Sequence, residues 1–154
     1  MDSVQPQSFR VSPMVKMALR AQVLMLRHNM MGSAADMIMI ITVKGRKTGK
    51  EYSTPIGYVR DGETICALNN GGVSNWYKNA LQNPDVILEI RGQRIHAVAE
   101  PVNDALERRE IFDLYKQQRR GAFPRFFGVP VDAPDAELEQ ALASRVFVRF
   151  HVSR

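Results

Sequence analysis

The residues best suited to hold a charged ligand fall in one short stretch, Lys44-Gly45-Arg46-Lys47-Thr48-Gly49-Lys50. Two glycines permit backbone conformations in which successive N–H groups converge on an anion, and Arg46, Lys47 and Lys50 with the Thr48 hydroxyl add the donors of a phosphate cradle. The stretch is not a Walker A loop. That motif separates its glycines by four residues and places Ser or Thr after the lysine, whereas three residues intervene here and Glu51 follows. A basic hairpin loop serves solubility equally well, so the turn taken alone leaves both readings open. A second glycine site, Asn69-Asn70-Gly71-Gly72, lets a flat ligand approach the backbone, and N–H groups at the start of a following helix can donate to ring carbonyls. The plain alternative there is a strand-to-helix turn.

Other chemistries have less support. His28, His96 and His151 are scattered, and the chain holds neither a His-Glu-x-x-His motif nor a Gly-x-Ser-x-Gly elbow. Metal and nucleophilic catalysis are therefore not expected, and reactivity is expected to come with a bound cofactor that the protein places and polarises. No side chain is assigned a catalytic role. Cys66 is the sole cysteine, which excludes an intrachain disulfide and a multi-thiolate metal site; its apolar neighbours Ile65, Ala67 and Leu68 mark it as a small core residue. Residues 119–130 combine Arg119, Arg120 and Arg125 with Phe123, Phe126 and Phe127, either a mobile aromatic cover for a substrate or a solvated loop pinned by Phe anchors.

The elements that must position these groups are legible from periodicity. Residues 13–31 read as a helix behind Ser12 and before Gly32, amphipathic and basic, with Lys16, Arg20 and Arg27 on one face. Such a helix packs on a globular core with its basic face solvated, or lies on an anionic membrane surface. From Met37 the pattern changes to strands: Met37–Val43, Ser53–Arg60, a turn at Asp61-Gly62, then Thr64–Leu68. A short helix over Trp76–Gln82, capped by Ser74 or Asn75, carries Trp76, Tyr77 and Asn79 and stops at Asn83-Pro84. Trp76 is ordinarily core, and Asn79 gains a role only if it faces the glycine turn. Val86–Ile90 and Gln93–Val102 form a hairpin about Arg91-Gly92, and Asp104 with Glu107 makes a capping box for a helix to about Gln118. Residues 119–134 read as loop, Asp135–Ser144 as an acidic helix and Val146–Val152 as the last strand. Six hairpin-connected strands with short helices predict a single α+β domain, mainly β, its antiparallel sheet closed into a barrel.

Composition agrees with one compact core in 154 residues, 45% hydrophobic and 24% charged. Arg46, Lys47 and Lys50 equal three units of the net charge of +5. That local excess suits a phosphate or acidic ligand better than nucleic acid, which calls for a basic stripe across a whole face. With no apolar run of spanning length and no apolar signal core in residues 1–12, a cytoplasmic protein is expected, membrane-associated only if the first helix lies on lipid.

Taken together, these residues resemble the deazaflavin-dependent nitroreductase and quinone reductase family. The likeness is carried by Gly45-Arg46-Lys47-Thr48-Gly49-Lys50 with Thr54-Pro55-Ile56, then Tyr58, Asp61-Gly62, Gly71-Gly72, Trp76-Tyr77 with Asn79, Asn83-Pro84-Asp85-Val86, Ala99 and Glu107-Arg108. The resemblance implies a split β-barrel related to FMN-binding oxidases of pyridoxamine phosphate, a homodimer in many of that wider group. It also implies coenzyme F-420, a deazaflavin, as cofactor, and hydride transfer to a quinone, nitro compound or other conjugated acceptor. By position, Arg46, Lys47, Thr48, Gly49 and Lys50 would grip the cofactor's phosphate and acidic tail. Thr54, Pro55, Ile56 and Asn69, Asn70, Gly71, Gly72 would flank its ring, and Asn75, Trp76, Tyr77 and Asn79 would close over it. Tyr52 stands where the family commonly has an arginine, one cation fewer at the tail. Its nitro-reducing members have a tyrosine-rich C-terminal wall that is absent here, so Tyr58, Phe123, Phe126 and Phe127 are the substrate-facing candidates. An FMN enzyme on the same barrel, or a non-catalytic carrier of a cofactor or lipid, remains the alternative.

Overall fold

The computed structural model describes residues 13–27, 36–69 and 74–153. The continuous apolar run after Met37 forms β1 (Ile38–Lys44), buried on both faces. Met39, Ile41 and Val43 point into one core, while Ile40 on the other face is covered by Val23 of the first helix, α1 (Pro13–Arg27). Burial on both faces is why this strand lacks the polar alternation of a half-exposed one. It pairs with β2 (Glu51–Asp61), which pairs with β3 (Thr64–Asn69). The helix α2 (Asn75–Gln82) leads to the hairpin of β4 (Asp85–Ile90) and β5 (Gln93–Val102), then α3 (Ala105–Gln118), α4 (Phe123–Phe127), α5 (Asp135–Ala143) and β6 (Val146–Val152). All pairings are antiparallel, and the six strands close into a barrel in the order β1-β2-β3-β6-β5-β4.

The period-2 alternation of the strands divides the interior in two. Ile65, Ala67, Val148 and Phe150 face the barrel lumen, while Cys66, Leu68 and Phe147 from the same strands face a second core under α3, α4 and α5. The Arg91-Gly92 turn has positive φ at both residues (49° and 79°), the type I′ geometry that suits a two-residue hairpin. At the β2–β3 turn the loop lies one residue later than expected, at Gly62-Glu63, because Asp61 still pairs with Thr64.

Two expectations need correction. The 119–134 segment is not irregular throughout: Phe123–Phe127 forms α4, ended by Gly128 at φ 74°. The capping box of α3 is half made. Asp104 accepts from the Glu107 N–H at 3.0 Å, but the Glu107 carboxylate turns to Arg149 at 3.5 Å. As expected, α1 packs on the barrel with Lys16 and Arg20 exposed, although over a narrow contact. Val23 is its buried anchor, Met14 and Met17 stand open to solvent, and Lys16 and Arg20 lie beside β2. Its expected cap Ser12 and stop Gly32 lie outside the described residues.

Candidate functional site

The β1–β2 connection folds back on itself. Gly45 N–H donates to the Lys50 carbonyl at 2.7 Å, and Gly49, at φ 71°, donates to the Gly45 carbonyl at 2.9 Å. Lys50 N–H donates to the Thr48 hydroxyl at 3.3 Å. A Cβ at Gly45 would lie 2.7 Å from Tyr52 Cε2, so a larger residue there would displace the Tyr52 ring. Across the turn stands Asn79 of α2, 5% exposed, whose Oδ1 accepts from the Arg46 backbone N–H at 3.1 Å and from Arg46 Nη1 at 2.8 Å. This narrows the expected cradle of converging amides. The N–H groups of Gly45, Arg46, Gly49 and Lys50 are engaged within the fold, which leaves those of Lys47 and Thr48 to act beside the side chains. It also gives Asn79 a role, toward the basic turn.

Between this turn and α2 lies a cavity of about 470 Å³. One side is cationic and hydroxylic, from Arg46, Lys47 and Thr48, and the other is apolar, from Val43 and Trp76. Tyr52 and Thr54 of β2 form a third wall, with Asn75 and Asn79 beside them. The volume falls in the usual range for small-molecule and cofactor sites. Ser74, the residue before α2, also lines it. Its hydroxyl makes no capping bond, and Ser74 Oγ is buried without a hydrogen-bond partner among the described residues. A buried unsatisfied hydroxyl on a cavity wall suits a polar ligand atom. Cations, hydroxyls and an aromatic side chain around one cavity are the groups that would hold a flat ring on an anionic chain.

The sequence-predicted residues divide accordingly. The cavity gathers Arg46, Lys47, Thr48, Tyr52, Thr54, Asn75, Trp76 and Asn79, whereas Gly49, Lys50, Pro55, Ile56, Asn69 and Tyr77 are not on its wall. Ile56 and Tyr77 pack against the barrel core instead. Asn70, Gly71 and Gly72 lie outside the described residues. The substrate-facing candidates are packed elsewhere. Tyr58 is in the barrel core, and burial raises its phenol pKa against the opposing Arg119 charge. Phe123 and Phe127 are 0% and 2% exposed in the second core, and Phe126 packs on Gly57 and Tyr115. Aromatic burial overrode the appearance of a cover loop. Val43 and Ser74 were missed: Val43 read only as strand, and Ser74 only as a helix cap.

A closed antiparallel six-stranded barrel interrupted by short helices is the split β-barrel fold. Solved structures share that fold at low identity. A putative pyridoxamine 5′-phosphate oxidase from Listeria innocua superposes with a TM-score of 0.53 at 13% identity, covering 87% of this chain and 93% of that one. An F420-H2 dependent reductase gives 0.50 at 21%, covering 75% and 93%. The sequence model of the F420H(2)-dependent quinone reductase family matches residues 16–123, and the chain belongs to that family. An F420H(2)-dependent quinone reductase of Mycobacterium tuberculosis is 30% identical over 79 residues, 49% of this chain and 52% of that protein. The chain thus spans about half the length of the curated relatives it matches.

Proposed function

We propose that this protein uses reduced coenzyme F-420 to reduce a quinone, and that the cavity between the β1–β2 turn and α2 is where the cofactor binds. The observation that carries this reading is the juxtaposition of Arg46, Lys47 and Thr48 with the Trp76 wall in one cavity, in a chain of this family. When bound, the reduced deazaflavin supplies two electrons and a proton as hydride. Arg46 and Lys47 hold the anionic chain, and Thr48 adds a hydroxyl. Asn79 fixes the Arg46 backbone and guanidinium, so the cations are presented with less ordering cost. Val43 and Trp76 would bound the ring, and the Ser74 hydroxyl would be available to hydrogen-bond to it. Nitro compounds and other flat conjugated acceptors suit the same arrangement.

Among the described residues no helix is long and apolar enough to cross a membrane. We read α1 as a surface contact for lipid: Met14 and Met17 are 82% and 71% exposed beside Lys16, a combination suited to an anionic interface. Sedimentation with phosphatidylglycerol vesicles, lost on Met14→Asp/Met17→Asp, checks that part separately.

The central test is a titration of the purified protein with coenzyme F-420, followed by anaerobic mixing of the reduced complex with a soluble naphthoquinone. Saturable binding and quinone-dependent loss of the reduced spectrum are expected. Absence of binding removes the reading.

A further inference from the structure

The cavity proposed for the cofactor carries little positive charge for a site beside so basic a turn. Among the described residues, Arg46 and Lys47 are the cations on its wall, and no carboxylate stands against them. Asn79 already engages Arg46, its Oδ1 lying 2.8 Å from Nη1. Lys44 and Lys50 flank the turn in sequence but are not on the wall. The position beside the cations where another charge could reach a bound chain is held by Tyr52.

Tyr52 faces Val43 across the β1–β2 ladder, and Val43 lies in the barrel core, so the phenol shares that side of the sheet with the cavity. Its ring rests on the turn, where the bare backbone of Gly45 gives it a seat. Of the two aromatic rings on the wall, Trp76 is 8% exposed and Tyr52 50%, so Tyr52 presents the larger open surface. That surface is poor for an anion. The face of an aromatic ring is its negative side, and the phenol adds a single donor at its tip.

We propose that Tyr52 is a specificity-determining residue at the anionic end of this cavity, and that it limits the site to one phosphodiester charge. The assignment rests on the cofactor reading above. Coenzyme F-420 carries, beyond its phosphate, a chain of glutamates that varies in length. Arg46 and Lys47 suffice for the phosphate, since charge-assisted bonds from two cations satisfy a single diester. Each further carboxylate then meets the neutral ring of Tyr52 and stays in solvent. Affinity therefore depends on the phosphate and not on the number of glutamates.

The experiment is a fluorescence titration of the full chain with three oxidised ligands: the deazaflavin riboside without phosphate, coenzyme F-420 with a single glutamate, and a long-tailed form. For the wild type, loss of the phosphate is expected to weaken binding at least about tenfold, while the two tailed forms bind within about twofold of each other. Tyr52→Arg is expected to favour the long tail by at least about fivefold, an advantage that high salt removes. Tyr52→Phe, which keeps the ring on Gly45, should retain the wild-type pattern. A wild type that itself favours the long tail about fivefold, or a folded Tyr52→Arg with no tail preference, overturns the role given to Tyr52 and leaves the cofactor reading standing. The wild-type comparison decides even where Tyr52→Arg fails to fold. A riboside that binds as well as coenzyme F-420, or no binding of any of the three, removes the cofactor reading and this assignment with it.

Discussion

Two segments of this chain cluster cations beside groups that look ready to meet a ligand, residues 45–50 and residues 119–127, and the fold uses them in opposite ways. Arg119 is 8% exposed, and its Nη2 donates to the backbone carbonyls of Asp36 and Tyr58 at 2.7 and 2.8 Å. The phenylalanines after it interlock with Phe112 and Tyr115, Phe123 and Phe127 lying 4.6 Å apart between ring centroids. Arg46 is exposed, and Asn79 aims it along a cavity wall. The difference shows that cation content alone does not mark a binding segment. What separates the two is where the guanidinium lies: Arg119 is buried against backbone carbonyls, whereas Arg46 lines a cavity.

The largest effects should come from the packed segment and leave binding untouched. Phe127→Ala opens a void among Phe112, Tyr115 and Phe147 and should lower unfolding free energy by about 3–5 kcal/mol in chemical denaturation. Coenzyme F-420 affinity of the folded protein should stay within about twofold. A selective loss of affinity without loss of stability would return this segment to the binding site.

Cys66 reports on the same core through pH. Burial pushes its thiol from 9.0 up to about 11, with Arg149 opposing. The folded state therefore holds the proton more tightly than the unfolded chain. The corresponding stability is complete below about pH 9 and declines as pH rises toward 11, by about 2–3 kcal/mol in all. Unfolding measured across that window should show a steeper decline for wild type than for Cys66→Ala. Parallel curves would place the thiol in contact with solvent.

In the basic turn, effects on binding should exceed effects on stability. Lys47→Ala should weaken coenzyme F-420 binding about tenfold, close to 1.4 kcal/mol, while Lys50→Ala, whose side chain is not on the cavity wall, should change it by less than about threefold. Equal losses in a fluorescence titration would mean that the cofactor crosses the outside of the turn.

How much of this was readable beforehand follows the range of the interactions. Hairpins and strands were legible because period-2 patterns and turn residues are local: Gln93–Val102 and Val146–Val152 match to the residue. That Lys47 and Trp76 would line one cavity was legible because the resemblance ties them together over 29 positions. The engagement of the Arg46 amide by Asn79 was not, since it joins residues 33 apart in sequence and depends on how α2 crosses the barrel. Nor was the fate of Phe123 and Phe127, because a Gly/Pro-rich run flanking three aromatics reads as loop until the second core behind β3 and β6 exists to bury them.

The smallest predicted effect separates the two segments most cleanly, because the same perturbation applies to both. Gly49 and Gly128 each sit in the left-handed region, at φ 71° and 74°, the first in the basic turn and the second at the end of α4. A Cβ meets nothing within 4 Å at Gly49 and only Arg145 Nη2 at 3.8 Å at Gly128, so alanine at either position costs backbone strain and not space. That strain is about 1 kcal/mol in both cases, and the two variants should lose similar stability in denaturant. Their binding should diverge. Gly49→Ala shifts the bond from Gly49 N–H to the Gly45 carbonyl and with it the placement of Lys47 and Thr48, so coenzyme F-420 affinity should fall about two- to fivefold. Gly128→Ala relaxes against the α4–Arg145 contact, away from the cavity, and its affinity should match wild type. If Gly128→Ala lowered affinity as much as Gly49→Ala, the packed segment would be coupled to the cofactor after all, and the division drawn between the two regions would fail.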